Sequence, residues 1–317
     1  MEKLAVGIDI GGTYTVFGLV DRNGNIVEEG EFYTKNFSDF NLFIDELFTK
    51  IKSLLSTCKN EFEIVGVGVG APNANFYNGF IQDASNLPWK GKLPLGDMLK
   101  ELFQLPVYIT NDANASAIAE MIYGGAKGLS NFMVLTLGTG LGSGIVINNE
   151  LVYGHSGFAG EIGHIIARPE GRQCGCGRYG CLETYVSATG IKRTVSKLLA
   201  KYSYSSELRS IPYNKMSAKR LANAAYKGDK IAIEAFEFTG KILGMALANV
   251  IALNNPQSIF LTGGLSKAGD LILKPTKYHM EENLLSVFEG MTNLKLTSVN
   301  GNSGILGSSA MVWKLVE

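Results

Sequence analysis

The stretch that decides the fold is Val6-Gly7-Ile8-Asp9-Ile10-Gly11-Gly12-Thr13-Tyr14-Thr15-Val16-Phe17-Gly18-Leu19-Val20. Its near-repeat is Val134-Leu135-Thr136-Leu137-Gly138-Thr139-Gly140-Leu141-Gly142-Ser143-Gly144-Ile145-Val146-Ile147. Each reads as a strand, a glycine turn and a second strand, forming an antiparallel hairpin. An Asn-containing turn and a further Ile-Val or Leu-Val pair follow in both places. The later parts correspond too: a helix then Ile64 to Pro72 in the first, a helix at 231–254 then Ser258 to Ser266 in the second. Two related α/β lobes, each offering a glycine hairpin to a shared cleft, account for this better than chance recurrence.

Working outward, 38–57 reads as an amphipathic helix, with Ser38 as N-cap and Phe40, Phe43, Ile44, Leu47, Ile51, Leu54 and Leu55 on one face. Residues 71–97 form a long loop region with short strands, of the kind that faces ligands. Val107 to Ile109 is a short strand ending at Thr110-Asn111-Asp112, and an Ala-rich helix runs on to about Tyr123. Residues 184–255 are mostly helical, with a break at Pro212. A last helix from about residue 302 packs back onto the first lobe. The expected division is therefore 1–115 plus 302–317 as a smaller lobe, and 116–301 as a larger one that carries the cysteine motif.

Composition narrows the class. Hydrophobic residues make up 46% of the 317, and charged residues 18%, so a packed core is assured and long disorder is not expected. Lys+Arg and Asp+Glu are equal at 29 each, which disfavours nucleic acid and anionic membrane as partners. The 38 glycines far exceed the usual ~7% without a Gly-X-Y period, so many backbone positions need tight turns or close approach. The start of the chain lacks a secretory signal pattern, and the most apolar helix segment, Leu243 to Leu253, is too short to span a bilayer. A cytoplasmic protein is expected.

Three glycine elements point to phosphate. Asp9, Gly11, Gly12 and Thr13 combine a carboxylate for Mg²⁺, unhindered amides and a hydroxyl; a plain hairpin turn is the alternative. Gly138, Gly140, Gly142 and Gly144 remove side chains at every second position, which suggests something large pressing on the strand face. Gly263 and Gly264 follow an apolar strand and can cradle a nucleotide at the mouth of a helix. None of the three fits the Walker or dinucleotide fingerprints. Together they favour a nucleotide site.

Asn111 and Asp112 lie between a strand and a helix, where they read either as a helix cap or as chemistry. In the chemical reading Asp112 accepts the proton of an attacking hydroxyl, and Asn111 suits a pair of sugar hydroxyls. Further on, His164 and Cys174, Cys176 and Cys181 make a His-x₉-Cys-x-Cys-x₄-Cys cluster. Three thiolates and an imidazole match tetrahedral Zn²⁺, and four protein ligands leave no open position, so the cluster reads as a structural zinc site, with buried free thiols or a catalytic zinc as the alternatives. Such a metal would fix His164 by one nitrogen and leave the other for a substrate hydroxyl. Glu161 and Glu183 flank the same knot and can accept further hydroxyl bonds.

Taken in order, Asp9-x-Gly-Gly-Thr13, Asn111-Asp112-Ala-Asn114, Leu137-Gly-Thr-Gly-x-Gly142-x-Gly144, Glu161-x-Gly-His164 and Cys174-x-Cys-Gly-x-x-Gly-Cys181-x-Glu183 resemble the ROK family of repressors and sugar kinases. The resemblance runs from residue 4 to about 315. It implies a two-lobed actin/hexokinase-like (ribonuclease H-like, duplicated) α/β fold with a central cleft and a small zinc-bound insertion. It implies an ATP-dependent hexose kinase, foremost a glucokinase, acting on the sugar 6-hydroxyl, with an N-acetylglucosamine or N-acetylmannosamine kinase as the alternative. By motif, Asp112 resembles the catalytic base, and Asn111, Glu161, His164 and Glu183 the sugar contacts. Asp9, Gly11, Gly12, Thr13, Thr139 and Gly140 match the phosphate and Mg²⁺ elements, Gly263 and Gly264 the later nucleotide turn. His164, Cys174, Cys176 and Cys181 match the zinc ligands, and a homodimer is implied. A repressor of this family needs an N-terminal helix-turn-helix, whereas this chain enters a strand by residue 4. A non-catalytic filament subunit would need neither Asp112 nor the sugar motif. One departure is Pro72-Asn73, where the family often has Pro-Gly, and it puts narrow glucose specificity in doubt.

Overall fold

The computed structural model describes residues 2–57, 62–84, 86–299 and 301–316. In chain order the strands are β1 (Glu2–Ile10), β2 (Tyr14–Val20), β3 (Ile26–Tyr33), β4 (Phe62–Gly70), β5 (Ile81–Gln82), β6 (Lys92–Leu93), β7 (Val107–Thr110), β8 (Phe132–Leu137), β9 (Leu141–Ile147), β10 (Glu150–Leu151), β11 (Ser258–Thr262) and β12 (Asn293–Leu296). The helices are α1 (Phe40–Thr57), α2 (Leu95–Phe103), α3 (Asp112–Ile122), α4 (Ala188–Lys201), α5 (Ala218–Tyr226), α6 (Lys230–Asn254), α7 (Asp270–Glu281) and α8 (Ser303–Val316). The chain forms two α/β units: 1–128 with 150–160 and 298–317, and 129–149 with 161–297.

In the first unit the sheet order is β3-β2-β1-β4-β7. The β1–β2–β3 pairs are antiparallel, and β4 and β7 join in parallel. Period-two alternation in β1 sends Leu4, Val6, Ile8 and Ile10 to one face. There they form a core with Phe43, Ile44, Leu47 and Ile51 of α1 and Leu95 and Leu99 of α2. The opposite face of β1 carries Ala5, Gly7 and Asp9. A side chain at Gly7 would overlap the Ile305 carbonyl, and one at Gly68 of β4 would overlap that of Ser308. The backbone of α8 therefore rests directly on the sheet, pinned by Ser308 Oγ donating to the Ile8 carbonyl at 2.6 Å. These glycines serve helix packing, not a ligand.

Three local expectations change. Asp39, not Ser38, caps α1: its Oδ1 accepts from the N–H groups of Asn41 (2.8 Å) and Leu42 (3.1 Å). Helix α2 starts inside the stretch read as loop, at Leu95, and runs on to Phe103; it begins after Pro94 with no side-chain cap, so it left no start signal. The segments 116–128 and 150–160 group with the first unit, which differs from the division expected at residue 115. Helix α3 is continuous to Ile122, and Ile118 packs on Ala310 and Met311 of α8. Residues 150–160 are held by Asn75 Nδ2 donating to the Ser156 carbonyl (2.6 Å), Tyr77 Oη to the Gly154 carbonyl (2.9 Å), and Phe76 stacked on Tyr153 at 4.1 Å.

In the second unit β9-β8-β11-β12 repeats the pattern of β2-β1-β4-β7: one antiparallel hairpin, then two parallel neighbours. Strand β11 is buried along its whole length, as a central strand covered on both faces should be. Helix α6 is 25 residues long, longer than the apolar run within it, and is apolar and long enough to cross a membrane by composition alone. Here it is a core helix. Gly240 and Gly244 bring its backbone against Pro275, Thr276 and Met280 of α7, with no room for a β-carbon.

Candidate active site and metal centre

In the first unit the site residues collect at the carboxyl ends of β1 and β7. Asp9 ends the α8-facing row of β1, and Gly304 in the first turn of α8 lies so close that a β-carbon there would overlap the Asp9 carboxylate. Burial, and then the charge of Asp112, push the Asp9 pKa up to about 7. A carboxylate in that state, beside a second carboxylate, is a ready place for a divalent cation. Gly11 N–H donates to the Tyr14 carbonyl at 2.9 Å, closing the hairpin. Gly12 lies against the Asn86 carbonyl with no space for a side chain, so part of its glycine requirement comes from the protein itself. Thr13 is exposed.

Asn111 caps α3, its Oδ1 accepting from the Ala113 N–H at 2.9 Å. Asp112 Oδ1 accepts from the same N–H, also at 2.9 Å. The cap reading of Asn111 therefore holds, and the cap fixes Asp112 as the first helical residue. Its side chain reaches solvent although protein crowds around it. That desolvation raises its pKa, and the Ala113 N–H only partly offsets it. The result is a stronger base than an ordinary surface carboxylate.

In the second unit the two glycine turns meet. Gly263 has φ +89°, and a β-carbon there would sit 2.7 Å from Leu137 backbone atoms. The Leu265 N–H donates to the Leu137 carbonyl at 2.9 Å, tying the end of β11 to the end of β8. Gly264 has open space where its side chain would be, and Thr139 is exposed. The element after Gly264 is only a single 3₁₀ turn at Ser266–Ala268, so the expected helix mouth is displaced to α7. Gly140 borders Glu183, whose Oε2 accepts the Leu141 N–H at 2.9 Å.

His164, Cys174, Cys176 and Cys181 offer ligand atoms that all lie within 4.8 Å of one another. A tetrahedron with Zn–S bonds of about 2.3 Å has S···S edges of about 3.8 Å. The Cys176–Cys181 Sγ pair and the Cys174 Sγ–His164 Nδ1 pair are each 3.7 Å apart. The donor set thus fits zinc in both chemistry and spacing. Zinc bound through Nδ1 leaves His164 Nε2 without a protein partner among the described residues. Glu183 Oε1 lies 3.6 Å from Cys174 Sγ, so this carboxylate spans the metal knot and the glycine turn. Glu161 is exposed, and its carbonyl accepts the His164 N–H at 3.0 Å.

Sequence reasoning missed two supporting residues. Arg178 Nη2 donates to the His164 carbonyl at 2.7 Å, and its place inside the Cys-x-Cys-x₄-Cys spacing was the available signal. Gly304 was visible only as a helix-start residue. The Pro72-Asn73 departure is milder than it looked: Asn73 adopts φ +52°, the left-handed region that Gly would occupy. Its Nδ2 also donates to the Gln82 carbonyl at 3.0 Å, bracing the loop.

Two α/β units of one topology, a pair of glycine turns, a carboxylate at a helix start and a Cys₃His knot define a sugar-kinase type of protein. The chain belongs to the ROK family, which it matches over residues 5–314. Within that family it is an ATP-dependent sugar kinase, similar to glucokinases in sequence and structure. It is 36% identical to the glucokinase of Halalkalibacterium halodurans, with 98% of this chain and 95% of that protein aligned. The xylose repressor of Caldicellulosiruptor bescii is 30% identical, over 97% of this chain and 77% of the repressor. Among solved structures, the ROK glucokinase of Streptomyces griseus in complex with glucose and AMPPNP aligns with a TM-score of 0.82 and 29% identity, covering 97% of this chain and 98% of that one.

Proposed function

We propose that this kinase transfers the γ-phosphoryl group of ATP to the 6-hydroxyl of glucose, with Asp112 as the base. The carrying observation is Asp112 itself: an accessible carboxylate, fixed by the α3 start and made more basic by desolvation. The 6-oxygen attacks the γ-phosphorus, its proton goes to Asp112, and the bond to ADP breaks. Asn111, Glu161, His164 and Glu183 are assigned to the sugar hydroxyls. The amides and hydroxyls of Gly11, Gly12, Thr13, Thr139, Gly140, Gly263 and Gly264 are assigned to the nucleotide phosphates. Asp9 would hold Mg²⁺, which supplies charge neutralisation at the phosphates when bound. His164, Cys174, Cys176 and Cys181 would hold a zinc ion whose role is to keep the imidazole in place, outside the phosphoryl transfer itself.

The reading includes a homodimer that works in the cytoplasm and does not bind nucleic acid. The balanced charge supports the absence of nucleic acid, the thiols of the Cys₃His cluster support a reducing compartment, and the homodimer rests on the family resemblance. The test is Mg-ATP-dependent phosphorylation of glucose, N-acetylglucosamine, N-acetylmannosamine, mannose and fructose by zinc-loaded protein. The highest kcat/KM is expected for glucose. Preference for an N-acetylhexosamine would replace glucose as substrate, and no turnover of any hexose would remove the reading.

A further inference from the structure

The second unit contains a cavity of about 610 Å³ lined by none of the residues assigned above. It lies among the 168–172 loop, α4 and α6, and this volume is that of a small-molecule site. Four cations face it, Arg168, Arg172, Lys197 and Lys201, against two carboxylates, Glu170 and Glu234.

Arg172 is the informative member. It is half-buried, with its guanidinium 4.6 Å from the Tyr185 ring centre. Nη1 donates to the carbonyls of Thr184 (2.8 Å) and Gly190 (3.0 Å), and Nη2 to Thr194 Oγ1 at 2.9 Å. Those bonds leave Nε–H and one Nη2–H unused, and no carboxylate pairs with it among the described residues. A fixed, half-buried guanidinium with spare donors, cationic neighbours and no paired carboxylate is set up to receive an anion.

We propose that this cavity binds a small phosphate-bearing metabolite, its phosphate held by Arg172, Lys197 and Lys201. Because Arg172 grips the Thr184 carbonyl, next to Glu183, occupancy would also stiffen the zinc hairpin. This site is additional to the kinase reading and does not rest on it.

The test is hydrogen exchange and calorimetry on zinc-loaded, full-length protein with inorganic phosphate, glucose 6-phosphate and glucose as probes. Either phosphate compound should protect amides in 168–173 and 190–201, and glucose should not. Lys197→Glu with Lys201→Glu changes only exposed side chains; it should weaken that binding by about tenfold or more and leave turnover intact. Arg172→Lys should weaken it while keeping the fold. Protection that is absent, or unchanged in the double variant, overturns the proposal. So does a fall in solution mass for the double variant, which would mean that a second copy of the chain covers this wall.

Discussion

Glu183 Oε2 accepts the backbone N–H of Leu141 at 2.9 Å, while Oε1 of the same carboxylate lies 3.6 Å from Cys174 Sγ. One side chain thus couples the metal knot to the turn assigned to phosphate. Glu183→Gln keeps the shape and one acceptor oxygen but loses the charge, so a loss of a few-fold to about tenfold in affinity for both sugar and ATP is expected. Steady-state KM values for the two substrates check this; a change confined to sugar would mean the coupling is not used.

The adjacent glycines separate packing from ligand approach. Gly140→Ala would overlap the Glu183 carboxylate, whereas Gly264→Ala meets nothing within 4 Å. The first should lower the melting temperature and activity together. The second should leave folding intact and act, if it acts, on ATP affinity alone. Thermal melts run beside ATP titrations distinguish them.

Asp112→Asn removes the proposed base but keeps an oxygen for the Ala113 N–H, and the Asn111 cap of α3 survives. A fall in kcat of about 10² to 10⁴ is expected, with a melting temperature within a few degrees of wild type. Activity within a few-fold of wild type would assign the proton elsewhere.

Stability should fall as pH rises in Mg²⁺-free protein. Asp9 titrates near 7 in the folded chain and near 3.8 unfolded, so between these values the folded state holds the extra proton. That contribution is complete below about pH 4 and lost as pH passes 7. Melting temperatures from pH 5.5 to 8 should drop more steeply for wild type than for Asp9→Asn, and Mg²⁺ should stabilise wild type more at pH 8 than at pH 6. Parallel slopes would show that Asp9 is not the titrating group.

Zinc removal should loosen the hairpin that carries His164, Cys174 and Glu183 together. Chelation, verified by metal analysis, is expected to lower the melting temperature and raise the sugar KM, and Cys176→Ser should reproduce both effects. Full activity in verified metal-free protein would sink this role.

Much was legible in the chain itself because it is local. The two glycine hairpins, the strands leading to Asp9 and Asn111, and the Cys-x-Cys-x₄-Cys spacing each lie within a few residues, where periodicity and turn chemistry speak directly. The helix start misread at Ser38 was a choice between adjacent cap residues, Ser38 and Asp39, that spacing alone does not separate. The purpose of most glycines was not local. The need for glycine at Gly7 and Gly68 shows only when α8, some 300 residues after Gly7, is seen lying on them.

The sequence by itself determined the duplicated α/β plan, the Cys₃His cluster and the place of Asp112 between a strand and a helix, since each depends on residue type and short spacing. Tertiary structure alone decided that Gly304 makes room for Asp9, that Glu183 joins the Cys₃His knot to the Leu141 turn, and that Arg172 stands in a basic cavity with no carboxylate paired to it among the described residues. Those are contacts between segments brought together only by packing of the sheets and helices, and no period in the chain encodes which distant atoms then meet.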